Sequence, residues 1–516
     1  MPQGVLGFQY EIEKTESGLT SLGGLPLAMD VAKAVGLADL ADSEIGARRN
    51  SQGYTDAQFL MAGVLLQIAG GDCVDDLDRL EQDDGFSWLL RDVEIRGLPR
   101  AERRRLKHRW AKLKRSRAVP SPTAMREWLK TFHPEGLDEA RKLWEEETGG
   151  KAFVPEPNDF LRGLWRINAG ILAKLQKWSP ETTATLDADA TVLSCFKENA
   201  FSSYKGPPGY QPHNIWWAEQ RYLTHTDFRD GNVPAGYEAL RVFQEALGML
   251  PEGIERVYYR ADSASFQEEL LQFLEQGKDP RFGRIGFAIS VPICRELRAV
   301  LERVPEEAWQ QLYVYSEAGE RKESGYEWVE VDYVPGSVGR TKKGTFRFLA
   351  TRELLSQGFL PGTPQQELPF PVTWKNNQSY KLHTVVTNLR PEEGWEGEDV
   401  LLWHRERCGK SEEVHAVLKH DLGGGKMPSK YFGSNAAWWW IAVLAHNLMG
   451  ILKRVFLGGE WAERRFKALR FHLIHLPGRV LRHARGITLR LAAKARDLLD
   501  QLLTVRKAIL AKASGA

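Results

Sequence analysis

Three acidic stretches of the chain stand out for the company their carboxylates keep. Asp187 and Asp189 lie within TLDADATVL, residues 185–193, where Thr, Val and Leu favour a β-strand and Asp is normally excluded. Two residues apart on a strand, both carboxylates face the same side of a sheet. Asp262 follows the run IERVYYRA, at the end of a predicted strand, where it could cap a helix beginning after Ser263. Glu412 and Glu413 lie in SEEVHAVLKHDL, a predicted helix on which Glu412 shares a face with Lys419 and Glu413 points about 100° away. Each carboxylate alone has an ordinary explanation, as a cap or a solvated helix face. Together they supply hard oxygen donors of the kind that Mg²⁺ or Mn²⁺ prefers. Two such ions about 4 Å apart can activate a water or a 3′-hydroxyl and stabilise the leaving oxygen of a phosphodiester, with no side chain acting as nucleophile. Carboxylates crowded in this way repel one another, so without metal they should hold protons more readily than usual.

Such a site needs a framework that brings distant segments together. A chain of 516 residues exceeds what one hydrophobic core usually serves and predicts two to four modules. Residues 1–150 read as a helical module, with a capping box at Thr55 and Gln58 and a basic run, RAERRRLKHRWAKLKRSR, at 100–117 that suits DNA or a solvated helix face. Between 151 and 307 three consecutive strands are followed by alternating helices and strands, which describes a mixed sheet with helices on its faces. Residues 308–392 read as a strand-rich, all-β insertion. Helices return over 393–452, and 453–516 reads as a basic helical tail, in which residues 453–512 hold fifteen Lys or Arg against four acids, a ratio suited to phosphate backbones.

The net charge of +2 decides little, because the charges are segregated along the chain. Cys73, Cys195, Cys294 and Cys408 are far apart, which signals neither a zinc site nor a disulfide framework and fits a reducing, cytoplasmic setting. The N-terminus lacks the apolar core of a signal peptide. The apolar run NAAWWWIAVLAHNLMGIL at 435–452 is marginal for a membrane span and carries His446 and Asn447, so it is expected to be a buried helix. GGGKMPS at 423–429 lacks phosphate-loop spacing, and His472 and His475 lack a third metal ligand.

The stretches LDADATVLS, YYRADSASFQEELLQFLE and HRERCGKSEEVHAVLK, with GKMPSKYFGSNAAWWWIAVLAHNL and FHLIHLPGRVLRHARG, resemble a bacterial insertion-sequence transposase of the DDE class. The resemblance is to the subgroup whose glutamate sits in a tyrosine-arginine-glutamate-lysine helix motif, and it runs from about residue 22 to 491. It implies an RNase H-like core with a β-strand insertion, and two Mg²⁺ or Mn²⁺ ions held by Asp189, Asp262 and Glu412. Asp189 is picked over Asp187 because Thr191 stands two positions on; Asp187 is then an orienting neighbour or an alternative ligand, and Glu413 competes with Glu412. Arg407 and Lys419 are implied to contact phosphates near the cut. The motif departs from the pattern at His404, where tyrosine is usual, and at Arg407, five residues before Glu412 rather than four.

Further DNA contacts are expected from Tyr204, Lys205 and Tyr210, in the Gly-Pro-rich loop after the first strand, and from Arg479, Arg482 and Arg485 in the tail. Trp328 and Trp374 read as core residues or, by the resemblance, as platforms for a flipped base. The leading expectation is a cut-and-paste transposase that binds terminal inverted repeats and target DNA as a homodimer, nucleoid-associated and without a membrane, with a hairpin intermediate on the element end. A non-transposing nuclease on the same fold and a DNA-binding protein without catalysis are the competing readings.

Overall fold

The computed structural model describes residues 18–49, 53–95, 99–112, 117–316, 319–336, 345–355, 372–375, 378–483 and 486–515. The N-terminal part is helical, as its periodicity predicts. Helix α1 (Asp56–Ala69) starts at the Thr55/Gln58 capping box and stops at Gly70, whose φ of 100° is left-handed. The basic run forms α2 (Arg100–Lys112), and α3 (Pro122–Lys130) begins at a Ser121 cap. The described side chains of helix α2 contribute nothing to the core, and α1 and α3 do not enclose a core of their own. Their apolar faces merge with those of α4 (Asp159–Trp178) and of a later helix built around Trp438, Trp439 and Trp440.

The centre of the molecule is one mixed sheet. Strands β1 (Thr183–Ala190), β2 (His213–Trp217) and β3 (Tyr222–Asp227) form an antiparallel meander. Helix α5 (Ala239–Met249) leads to β4 (Arg256–Ala261), and α6 (Glu268–Gln276) to β5 (Gly286–Val291). Strand β4 lies parallel to β1, and β5 parallel to β4, since a helical crossover returns the chain in the same direction. Helix α7 (Arg295–Glu302) follows.

Residues 308–392 are strand-rich as expected: β6 (Gln310–Tyr315), β7 (Arg321–Val331), β8 (Arg347–Leu354), β9 (Val372–Lys375) and β10 (Gln378–Thr387). They do not stand apart. Strand β10 pairs with β5 from Thr384 opposite Val291 to Thr387 opposite Ala288, so hydrogen bonding runs unbroken across the sheet in the order β6-β7-β8-β10-β5-β4-β1-β2-β3, with β9 on β10.

Alternation along β1 separates two layers. Ala184, Leu186 and Ala188 pack with α5, α6 and α7, whereas Asp187 and Asp189 turn to the opposite face. That face meets α8 (Gly397–Arg405), α9 (Lys410–Ala416) and α10 (Phe432–Ile451). The apolar run at 435–452 is accordingly a core helix: Trp438, Trp439 and Trp440 are at most 1% exposed.

The tail is not helical throughout. β11 (Gly478–His483) and β12 (Gly486–Leu491) form an antiparallel hairpin, with Leu19–Thr20 paired to β11, before α11 (Arg496–Ser514). The alternation in GRVLRH and GITLRL carries β-branched residues at strand period, a signal masked by the basic charge.

Candidate active site

Ala188 on β1 lies opposite Ala261 on β4, and both are buried in the helical core layer. The next residue on each path, Asp189 and Asp262, therefore turns to the other face at one level of the sheet. Asp262 also caps the short turn Ser263–Ser265, its Oδ1 accepting from the Ala264 N–H at 3.0 Å, so the capping role and a place beside Asp189 coexist. Glu412 comes from the exposed first turn of α9. Both act on Asp189: burial, with smaller contributions from Asp262 and Glu412 and against the pull of Arg407, pushes its carboxyl up to about 6. Glu413 points elsewhere and acts on Lys453.

Asp187 has a different fate. It is 1% exposed and forked by Arg260, the residue opposite it on β4, through Nε–Oδ1 at 2.6 Å and Nη2–Oδ2 at 2.9 Å. Arg260 also donates to the Trp403 carbonyl and to Glu406 and stacks on the Trp403 ring. A buried carboxylate forked on both oxygens by a guanidinium is neutralised in place and ties β1 to β4.

The residues around the trio are less uniform than the motif suggests. Arg407 acts on Asp187 and Asp189, and its buried Nε has no hydrogen-bond partner among the described residues. His404 is buried, with Nε2 at 3.2 Å from the Ala261 carbonyl, one residue before Asp262, and 3.4 Å from Ser290 Oγ; burial, His383 and Arg407 keep it neutral. It braces the end of β4 beneath Asp262. Lys419 lies in a wide π-helical turn, Val417–Asp421, that follows α9. Its Nζ donates to Thr191 Oγ1 at 2.8 Å, tying the glutamate helix to the end of β1. Burial and Lys205 hold its ammonium below the ordinary range.

His415 and Asn214 were not anticipated. Asn214 pairs opposite Asp189 across β1 and β2. Trp439 Nε1 donates to Thr226 Oγ1, which donates to Asn214 Oδ1; the Asn214 amide nitrogen then faces His415 Nε2 at 3.0 Å. Burial holds the His415 imidazole down at about 3, so its one proton sits on Nδ1, 3.9 Å from Asp189 Oδ2. A buried polar chain thus fixes the ring beside Asp189. Its members are scattered over 214, 226, 415 and 439, with no sequence spacing to reveal them.

Of the loop residues, Tyr204 is 73% exposed with Lys205 Nζ over its ring. Tyr210 is corrected: it is fully buried against Phe228 and Phe432, with its hydroxyl accepting from Asn435, and cannot reach DNA. Arg479 is exposed on β11, Arg482 stacks over Trp88 at 4.0 Å, and Arg485 lies outside the described residues. Trp328 is half-buried and packs with Leu349, Val385 and Val400, a core role; the Trp374 side chain lies outside the described residues. His475 Nε2 donates to the Ala69 carbonyl.

The chemistry of the donor set suits hard cations: Asp262 and Glu412 are carboxylates near enough to act on Asp189, which is protonated more readily than usual. Among the described residues only Asp72, Cys73 and Asp76 bring three ligand atoms within 4.8 Å of one another. Those carboxylates are already spent, Asp76 accepting from the Asp72 and Cys73 N–H groups and Asp72 bonding Lys426. Asp189, Asp262 and Glu412 are spread more widely. Ligands of a single small ion crowd within about 4 Å, whereas two ions about 4 Å apart use ligands spread over roughly twice that span.

Comparison with known proteins gives the following. The family model "Transposase DDE domain group 1" matches residues 7–509. No curated protein matches. Among solved structures, a piggyBac transposase synaptic complex with hairpin DNA is similar at 11% identity and a TM-score of 0.35, over 89% of this chain and 83% of that one.

Proposed function

We propose that this chain, a DDE transposase by its membership of the transposase DDE domain group 1 family, cuts and joins DNA at Asp189, Asp262 and Glu412. The observation that carries this reading is the level register of β1 and β4, which sets Asp189 beside Asp262, together with the influence of Glu412 on Asp189. The order β3-β2-β1-β4-β5, three antiparallel strands and then two parallel ones, supports an RNase H-like core, and the organisation into 1–150, 151–307, 308–392, 393–452 and 453–516 is proposed with it.

Two Mg²⁺ or Mn²⁺ ions, when bound, would supply activation of the attacking water or 3′-hydroxyl and stabilisation of the leaving oxygen. Asp189, Asp262 and Glu412 would hold them. His415 and His404 keep Asp189 and Asp262 in place, and the pair Asp187–Arg260 locks β1 to β4. Arg407, its Nε unpartnered among the described residues, and Lys419 offer cations to phosphates near the cut, as do Tyr204 and Lys205 at the loop edge. The exposed basic helix α2, Arg479 and Arg482 suit the terminal inverted repeats. Joining two ends of an element to target DNA implies a homodimer in the DNA complex, acting in the cytoplasm at the nucleoid, with a hairpin on the element end.

The test is cleavage of element-end DNA in Mg²⁺ by the wild type and by Asp262→Ala. The variant is expected to keep end binding and lose cleavage, and paired-end strand joining separates transposition from plain nuclease activity. Equal cleavage by both proteins would exclude the proposed site.

A further inference from the structure

On a different face of α9 from Glu412, a cavity of about 170 Å³ opens between the β2–β3 hairpin, the end of α10 and the segment Leu452–Leu457. Four cations line it, Arg221, Lys410, Lys453 and Arg454, against two acids, Glu413 and Glu463. Glu463 is taken up by Arg221, with both carboxylate oxygens 2.8 Å from its Nη1. Lys410, Lys453 and Arg454 then outnumber the remaining acid, Glu413, although Glu463 still acts on Lys453 and Arg454. One donor in the lining is also buried without a partner among the described residues, the indole Nε1 of Trp216, whose residue is 7% exposed. Gly450 in the lining lets Tyr222 and Arg454 pack close to α10, since a Cβ there would meet the Tyr222 ring at 2.6 Å and Arg454 Nη1 at 3.1 Å.

An excess of positive charge, half-buried at Lys453 and Arg454 and exposed at Lys410, beside an idle indole N–H asks for acceptors that carry negative charge. Water can satisfy the donors but leaves the charge uncompensated; an oxyanion does both. The volume is several times the roughly 30 Å³ of a liquid water, room enough for a tetrahedral anion. Burial and Arg454 already press the Lys453 ammonium down to about 8, which an anion would relieve.

We propose that this cavity binds a phosphate-class oxyanion through Lys453, Arg454 and Lys410, with the Trp216 indole as a neutral donor. The anion is either a free phosphate or a phosphodiester group of DNA. Because Lys410 belongs to α9, occupancy braces the helix that carries Glu412. The site stands independently of the cleavage reading, since its ligand is measured by binding alone.

The experiment titrates inorganic phosphate into the full-length protein in Mg²⁺-free buffer, against chloride at matched ionic strength, and reads ³¹P line width and thermal midpoint. Saturable broadening with a raised midpoint is expected, about tenfold weaker in Lys453→Gln and about threefold weaker in Lys410→Gln, whose position on the exposed rim keeps folding safe. Asp262→Ala should bind phosphate as the wild type does. The proposal is overturned if phosphate acts no differently from chloride, if Lys410→Gln and folded Lys453→Gln both bind with unchanged affinity, or if Asp262→Ala abolishes binding, which would place the anion at the carboxylate site. Competition by a short DNA duplex that is weakened in Lys410→Gln identifies a phosphodiester group as the ligand; absence of competition with saturable phosphate binding identifies free phosphate.

Discussion

Two aspartates on one face of one strand, two residues apart, have been put to opposite uses. Around Asp187 the structure is closed: Arg260 takes both oxygens, and Trp403 and Glu406 take what remains of Arg260. Around Asp189 it is open. Among the described residues no Lys or Arg nitrogen forms an ion pair with it; it takes a hydrogen bond from the Ala190 N–H, a neutral imidazole stands 3.9 Å away, and Arg407 acts on it from farther off together with two further carboxylates. Burial alone therefore does not mark a functional acid. A buried carboxylate given its own guanidinium is part of the scaffold, and one without an ion-pair partner, with further carboxylates near it, is the one proposed to take a cation from outside.

The comparison breaks most severely at the open end. Loss of Asp262 is expected to lower the cleavage rate on the order of 10³-fold or more with little change in stability, and a cleavage assay beside a urea titration separates the two. At the closed end the effect reverses. Arg260→Met leaves Asp187 buried and unpaired and should cost about 3–5 kcal/mol of stability in urea unfolding, most of it recovered in the double variant Asp187→Leu/Arg260→Met. A loss below about 1 kcal/mol in the single variant would show that the pair is not an anchor.

A smaller effect sharpens the contrast through pH. In the fold the Asp189 carboxyl keeps its proton up to about 6, against an ordinary value of 3.8. The native state thus binds more protons across that window, and its stability is fully present below the ordinary value and lost as pH rises through 6. Asp189→Asn has no charge to lose. In metal-free buffer it should match the wild type near pH 4 and exceed it by about 1–3 kcal/mol at pH 7.5, and Mg²⁺ should stabilise the wild type only. Equal pH profiles for both proteins would refute the account of Asp189. The smallest change expected is at the loop rim, where Lys205→Ala should weaken DNA binding evenly across sequences and reduce the salt dependence by about one unit of slope, read by fluorescence anisotropy at several salt concentrations.

How much of this could be seen in the chain depended on range. The aspartates on β1 and at the end of β4, the Thr55 cap and the strand succession from 183 to 291 were legible, because each rests on local periodicity or a fixed offset. Crowding of carboxylates correctly anticipated the raised Asp189 carboxyl, although burial is the larger cause. What lay hidden is non-local. Tyr210 sits in a Gly-Pro-rich loop that reads as exposed, yet Phe228 and Phe432 close over it. Whether Asp187 was a ligand or an anchor turned on Arg260, 73 residues away, and the His415–Asn214–Thr226–Trp439 chain joins four elements. The continuation of the sheet into β10 required knowing that β5 had an edge to offer.

The wide turn Val417–Asp421 after the glutamate helix has one last implication. Such a turn absorbs a residue beyond ordinary helical winding, and it does so between Glu412 and the lysine that grips Thr191. It works as a phase adjuster: removing the residue before Lys419 would bring that lysine one position nearer Glu412, about 100° from its former place in helical winding, while the chain beyond the turn keeps its phase. The helix would remain a helix, but its two functional groups could no longer address the same strand, so a single deletion there should silence the protein while leaving it folded.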